Sequence, residues 1–180
     1  MKNLKYLGLK NTTVELIDYH KEWEKYFEVE KNLFNNNVKR NIKTVHIGST
    51  AVKGLCAKPI IDIMIGIENE SDRMKVINDL IDLGYINRGE LGIPDRTFLK
   101  KTTVNGETTH HVHLVIYDSE FWFTHLLFRD ILRRNKEIRI KYAEMKKKLQ
   151  SLFHHKRKEY TEAKTDFITK VVKKGSEGYE

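Results

Sequence analysis

Two short segments carry the residue types from which phosphate chemistry is built. The first is Val45-His46-Ile47-Gly48-Ser49-Thr50, an apolar strand end running into a Gly-Ser turn. The second is Ala57-Lys58-Pro59-Ile60-Ile61-Asp62-Ile63-Met64-Ile65, an apolar run with one carboxylate inside it. Gly48 lets the backbone approach a ligand, while Ser49 and Thr50 bring hydroxyls and amides to a helix start that favours an anion. Asp62 lies among isoleucines, where an unpaired carboxylate is costly, so it calls for a donor, a cation or a metal. Twelve residues separate Ser49 from Asp62, enough for one excursion that returns the chain beside its starting strand. Donors for phosphate oxygens and a carboxylate for Mg²⁺ would then face each other, as phosphoryl and nucleotidyl transfer require. Lys58 adds a point charge beside the strand. Further on, His111 and His113 alternate onto one strand face, placed as metal ligands or, for His113, as a general base.

These groups need a scaffold, and the hydrophobic pattern supplies one. Thr44 to Ile47 and Ile60 to Ile67 are β-branched runs of strand length, as strands buried on both faces read. Val14 to Ile17 reads as a short strand, and Asp18 as the N-cap of a helix with Trp23, Tyr26, Phe27, Leu33 and Phe34 on one face. Ser71 or Asp72 opens a helix with Met74, Ile77, Leu80 and Ile81 inward, closed by Gly84. Tyr85-Ile86 starts another strand. Arg96 to Val104 and Thr108 to Tyr117 flank Asn105-Gly106, a strong hairpin signal. After Asp118 the pattern is helical in three segments, about 121–133, 136–152 and 155–173, with 175–180 fraying. The expected architecture is α+β: a mixed sheet with flanking helices over residues 1–118, and a helical segment over 119–180 packed on it as one structural unit.

Composition narrows the setting. The 180 residues carry a formal charge of +8, unevenly placed. Residues 1–128 hold 17 basic and 17 acidic side chains, whereas 129–174 hold 16 basic and 6 acidic. Such a field attracts nucleotides or nucleic acid, with a solvated helical surface as the alternative. No apolar run approaches the roughly 20 residues of a membrane helix, and Met1 to Lys5 lacks a signal-peptide core. A single cysteine, Cys56, permits no internal disulfide and reads as a small apolar filler in a cytoplasmic protein.

The block from Val45 to Ile63 resembles the signature of the GrpB family. The resemblance extends to Tyr19 and Trp23, to Thr109-His110-His111-Val112-His113, and to Phe128-Arg129-Asp130-Ile131-Leu132-Arg133. Tyr142, Lys146, Tyr160 and Lys164 also match, so that about Val14 to Lys173 is covered. It implies a nucleotidyltransferase fold of the DNA polymerase β type. Gly48, Ser49 and Thr50 would hold phosphate, Asp62 would bind a divalent metal, and Lys58 and Arg129 would neutralise charge. Asp62 and His113 would be the catalytic pair. The pattern departs at Met64, where the superfamily places a second carboxylate; a thioether does not replace a hard oxygen ligand for Mg²⁺. The strand that should bring a third carboxylate offers His111 and His113. Asp62, His111 and His113 would then suit Zn²⁺, Mn²⁺ or Fe²⁺ better than Mg²⁺.

Each assignment has a structural counterpart. Asp62 could be satisfied by amides or by Lys58, Arg129 by Asp130, and His111 and His113 could form a solvent-facing pair. Lys146 and Lys164 could be solvated, and Tyr142 and Tyr160 could pack at a core edge. Three functions remain open on the sequence: a metal-dependent nucleotidyltransferase acting on a nucleotide or phosphorylated small molecule, a degenerate non-catalytic module for a nucleotide, cofactor precursor or protein, and a nucleic-acid binder using the basic C-terminal helices.

Overall fold

The computed structural model describes residues 5–177. Residues 1–4, most of the segment expected to lack a signal-peptide core, and 178–180, the last of the expected fraying tail, lie outside that range; Gly175 to Glu177 are helical.

The strands are β1 (Ile42–Ile47), β2 (Ile61–Ile67), β3 (Ile86–Asn87), β4 (Thr97–Thr102) and β5 (Thr108–Ile116). They form one sheet in the order β1-β2-β5-β4-β3, with β2 and β5 parallel and the other pairs antiparallel. The helices are α1 (Glu22–Asn37), α2 (Arg73–Asp82), α3 (Glu120–Arg134), α4 (Lys136–Leu152), α5 (Arg157–Glu162) and α6 (Thr165–Glu177). This is the expected α+β architecture with a mixed sheet.

The period-2 alternation of β2 decides what each sheet face does. Ile61, Ile63, Ile65 and Ile67 join one core with Val112 and Leu114 of β5, Trp23, Phe27 and Phe34 of α1, and Val76, Ile77 and Leu80 of α2. Burying side chains of this size contributes about 1.5–3 kcal/mol each. The opposite set, Asp62, Met64 and Gly66, faces the C-terminal helices. Met64 packs with Ile47, Val115 and Trp122 of α3. At Gly66 the indole comes so close that an added Cβ would lie 2.7 Å from Trp122 Cζ3. Only Asp62, at the strand's start, escapes the cover of α3.

Four local expectations are corrected. Val14 to Ile17 is not a strand but a single bridge between Ile17 and Ala57. Helix α1 begins one turn after Asp18, with Lys21 rather than Asp18 at its N-cap and the Glu22 amide donating to His20 Nδ1 at 3.2 Å. In α2 Met74 and Ile81 are exposed and Val76 is buried. Arg73 sets that rotation by donating to Thr97 Oγ1 at 3.2 Å and the Leu114 carbonyl at 3.1 Å. The last predicted helix is broken at Ala163-Lys164 into α5 and α6.

Gly66→Ala tests the contact that seats α3. Because Gly66 has no positive φ, its effect is steric alone, and overpacking of this kind costs about 1–3 kcal/mol. Thermal unfolding of the variant should show the loss; an unchanged melting temperature would mean that Trp122 does not press on β2.

Candidate functional site

Strand register lays out the part of the sheet that α3 leaves uncovered. Ile47, Asp62, His111 and Lys100 stand side by side from β1 to β4, and Val45, Met64, His113 and Phe98 form the next row. Above the first row is a cavity of about 840 Å³. Its walls come from the Gly48-Ser49-Thr50 turn, the 88–96 connection, Tyr142 and Lys146 of α4, Arg157 and Tyr160 of α5, and Lys164 at the helix break. Seven lysine and arginine residues line it, and among the described residues Asp62 is its single carboxylate.

The turn and the carboxylate meet directly. Gly48 has φ +70° and ψ −171°, a region essentially reserved for glycine. A Cβ there would lie 2.5 Å from Asp62 Oδ2. The other oxygen, Oδ1, accepts a hydrogen bond from His111 Nδ1 at 2.9 Å. Burial alone raises the Asp62 pKa, but the His111 hydrogen bond and the charges of His111, His113 and Lys58 overcome it and hold the carboxyl far below its ordinary value. For His111 burial wins and lowers the pKa, with Asp62 opposing. His113 is pushed down to about 3, first by burial, then by His125, His111 and Arg96 against the pull of Asp62.

The cationic wall is unusual in its burial. Lys146 is only 2% exposed. It donates to Ser49 Oγ at 2.9 Å and to the Cys56 carbonyl, so it is not the solvated lysine that its neighbours suggested. Lys58 and Lys164 lie against the Tyr160 ring, 5.5 and 4.6 Å from its centroid. Burial, reinforced by the surrounding cations, lowers Lys58 to about 7, Lys146 to about 7 and Lys164 to about 8. Tyr142 and Tyr160 belong both to the buried interior and to the cavity wall.

Three expected roles change. Arg129 is absent from the cavity wall. Its guanidinium grips Asp130 through Nε and Nη2 at 2.8 and 3.1 Å, and Nη1 donates to the His46 carbonyl at 2.9 Å. It therefore braces the Gly-Ser turn from behind, as Arg133 does through the Ala51 carbonyl at 3.0 Å. Thr50 turns its hydroxyl to His46 Nε2, 3.0 Å away, leaving Ser49 as the hydroxyl of the turn nearest the lysines. Asp62, His111 and His113 do not assemble as three ligands of one ion: His111 spends Nδ1 on Asp62, and no three acidic, imidazole or thiolate groups among the described residues are arranged to hold a metal.

Several lining residues were not anticipated. Phe98 and Lys100 follow from the hairpin register once His111 and His113 are placed, so their signal was present. Arg88, Arg96, His125 and Arg157 arrive through a loop and two helices and carried no periodic mark in the sequence.

A family model described as GrpB protein matches residues 13–174, and the chain belongs to that family. It is 33% identical over 170 residues to the glutamate-rich protein GrpB of Alkalihalophilus pseudofirmus, covering 92% of this chain and 98% of that one. The crystal structure of conserved protein GrpB from Enterococcus faecalis superposes with a TM-score of 0.82 at 33% identity, over 92% of this chain and 99% of that one. The Cid1 poly(U) polymerase, solved with MgGTP bound, matches with a TM-score of 0.50 at 11% identity, over 72% of this chain and 42% of that one. The core therefore has a nucleotidyltransferase-like fold. No helix among the described residues is long and apolar enough to cross a membrane.

The Asp62–His111 bond has a direct spectroscopic consequence. Asp62 raises the His111 pKa against the larger effect of burial. Asp62→Asn should therefore move the His111 titration, followed by its ring-proton NMR signals, to still lower pH. An upward move would show that the two side chains are not paired in solution.

Proposed function

We propose that this member of the GrpB family binds a phosphorylated small molecule, with a nucleotide as the favoured class, in the cavity beside Asp62. The observation that carries the reading is the lining: seven cations and one carboxylate around the Gly-Ser turn of a nucleotidyltransferase-like fold. Phosphate oxygens would lie against Ser49 and its neighbouring amides, with Lys58, Lys146, Lys164 and Arg157 supplying the positive charge. Bringing an anion among partly deprotonated, buried lysines restores their protons, because each cation then gains a partner.

In this reading a reaction at the site is nucleotidyl transfer: an acceptor oxygen forms a bond to the α-phosphorus while the bond to the pyrophosphate oxygen breaks. Burial keeps His113 neutral, with its pKa near 3. The negative charge of a bound ligand raises its proton affinity toward that of a general base. Asp62 would hold Mg²⁺ or Mn²⁺ arriving with the phosphates, and the ion would supply positive charge to neutralise them. A resident Zn²⁺ on Asp62, His111 and His113 does not fit the pairing of His111 with Asp62.

One observation favours the non-catalytic alternative. Met64 stands where a second carboxylate is expected and is fully buried beneath α3, so the site lacks the second hard ligand on which two-metal catalysis depends. Nucleic-acid binding keeps the remaining exposed lysines of α4 and α6, while Lys146, Arg157 and Lys164 turn into the cavity.

Calorimetric titration with ATP, GTP, CTP and UTP, with Mg²⁺, with Mn²⁺ and with chelator, tests the reading. Saturable binding is expected, and Lys164→Gln should weaken it by about tenfold. No binding at millimolar nucleotide would overturn it. Turnover measured in the same samples separates enzyme from binding module.

A pH series with sulfate, whose charge is constant near neutrality, gives a second test. The anion favours protonated lysine, and Lys58, Lys146 and Lys164 lose their protons at about 7, 7 and 8. Affinity should therefore fall as pH rises through that window, with proton uptake on binding. Affinity rising with pH would contradict the lysine assignment.

A further inference from the structure

The wall of the cavity near Phe98 has its own chemistry, built from different elements. Arg96, at the end of the 88–96 connection, is 7% exposed. Its Nη2 donates to the Glu90 carbonyl at 2.7 Å, and its Nε is buried with no hydrogen-bond partner. No carboxylate among the described residues forms an ion pair with it within 4.0 Å. A buried guanidinium in that state is costly unless an anion completes it. Its Cζ lies 5.2 Å from the Phe98 ring centroid, and the His113 ring lies 5.4 Å from the same centroid on the cross-strand neighbour of Phe98. His113 Nδ1 is likewise buried without a partner. His125 closes this wall: its ring stacks on Phe121 at 3.8 Å, and its Nδ1 donates to the Phe121 carbonyl at 2.8 Å.

The same connection brings apolar surface to the cavity. Leu91 and Ile93 line it while 57% and 38% exposed. Leu91 is held at φ +47°, a backbone state that a bulky residue rarely adopts. Exposed apolar side chains beside an unpaired, planar guanidinium make a bipolar surface. The fork of arginine matches the two oxygens of a carboxylate, and an aromatic ring beneath it adds stacking.

We propose that Arg96 and His113 form a second subsite, distinct from the lysine wall, which takes the carboxylate of a small molecule whose apolar body lies against Phe98, Leu91 and Ile93. The lysine wall suits compact, highly charged phosphate, whereas this subsite suits one delocalised charge attached to hydrocarbon. It extends the reading of a phosphate-binding cavity by giving the chemical class of a second substrate or co-ligand.

The test uses the full chain with 3-phenylpropionate, its neutral amide 3-phenylpropionamide, and inorganic pyrophosphate as probes. In wild type the carboxylate should shift the ring-proton NMR signals of His113 and His125, the amide should not, and saturating pyrophosphate should leave the carboxylate affinity within about threefold. Arg96→Gln should weaken the carboxylate by about tenfold or more and pyrophosphate far less. Arg96→Lys, which keeps the charge but loses the fork, should fall between the two. That variant decides the matter if Arg96→Gln melts early and loses both probes. Equal binding of acid and amide would overturn the subsite, as would one-for-one displacement of the acid by pyrophosphate. Failure of pyrophosphate alone would count against the lysine wall and leave this subsite standing.

Discussion

The hydrogen bond from His111 Nδ1 to Asp62 Oδ1 joins β2 to β5 at the point where the sheet's one cavity-facing carboxylate meets a wall of cations. Nearly every other feature of the cavity answers to that carboxylate. Its ionised form is favoured by His111, His113 and Lys58. It in turn moderates the mutual repulsion of Lys58, Lys146 and Lys164, each of which feels it as a stabilising charge. Without Asp62, burial would act on these lysines unopposed by any acid in the wall. The carboxylate is thus as much a counter-ion that lets basic residues be buried as a group available to a ligand.

The geometry around it is made by backbone constraint. Gly48 presses on Asp62 Oδ2 with no Cβ in between, and three long cations fix the surrounding turn from outside: Arg129 at His46, Arg133 at Ala51 and Lys146 at Ser49 and Cys56. The sequence suggested Arg129 as a residue that neutralises ligand charge and Lys146 as a solvated one; the structure inverts the two. A basic residue beside Asp130 on α3 has a carboxylate at hand, whereas Lys146 faces the interior, where its nearest acceptors are on the turn.

The sequence showed the sheet well because strand alternation and the Asn105-Gly106 turn are local signals. β2, the hairpin and the pairing of the Gly-Ser turn with Asp62 were legible from them. The cavity's far walls were not. Arg96 comes to Phe98 through a loop and His125 to His113 through a helix, and nothing local in their spacing records that approach. The break at Ala163-Lys164 was also hidden, because neither glycine nor proline marks it; there Lys164 lies over Tyr160 in the cavity wall. Glu30 shows the same limit: it lies on α1 with no pattern to mark it, yet is 6% exposed and accepts a hydrogen bond from Lys101 of β4 at 2.7 Å.

Lys58 precedes β2, Lys100 lies on β4, and Lys146 and Lys164 come from the last third of the chain, yet all four look into one chamber. An occupant touching them would stitch together segments that, among the described residues, share no ion pair with one another. By mass action, such an occupant draws free energy from every partly open form of the molecule toward the closed one. Occupancy and architectural integrity are then a single equilibrium, and the depletion of a small solute would register as a loosening of the entire body.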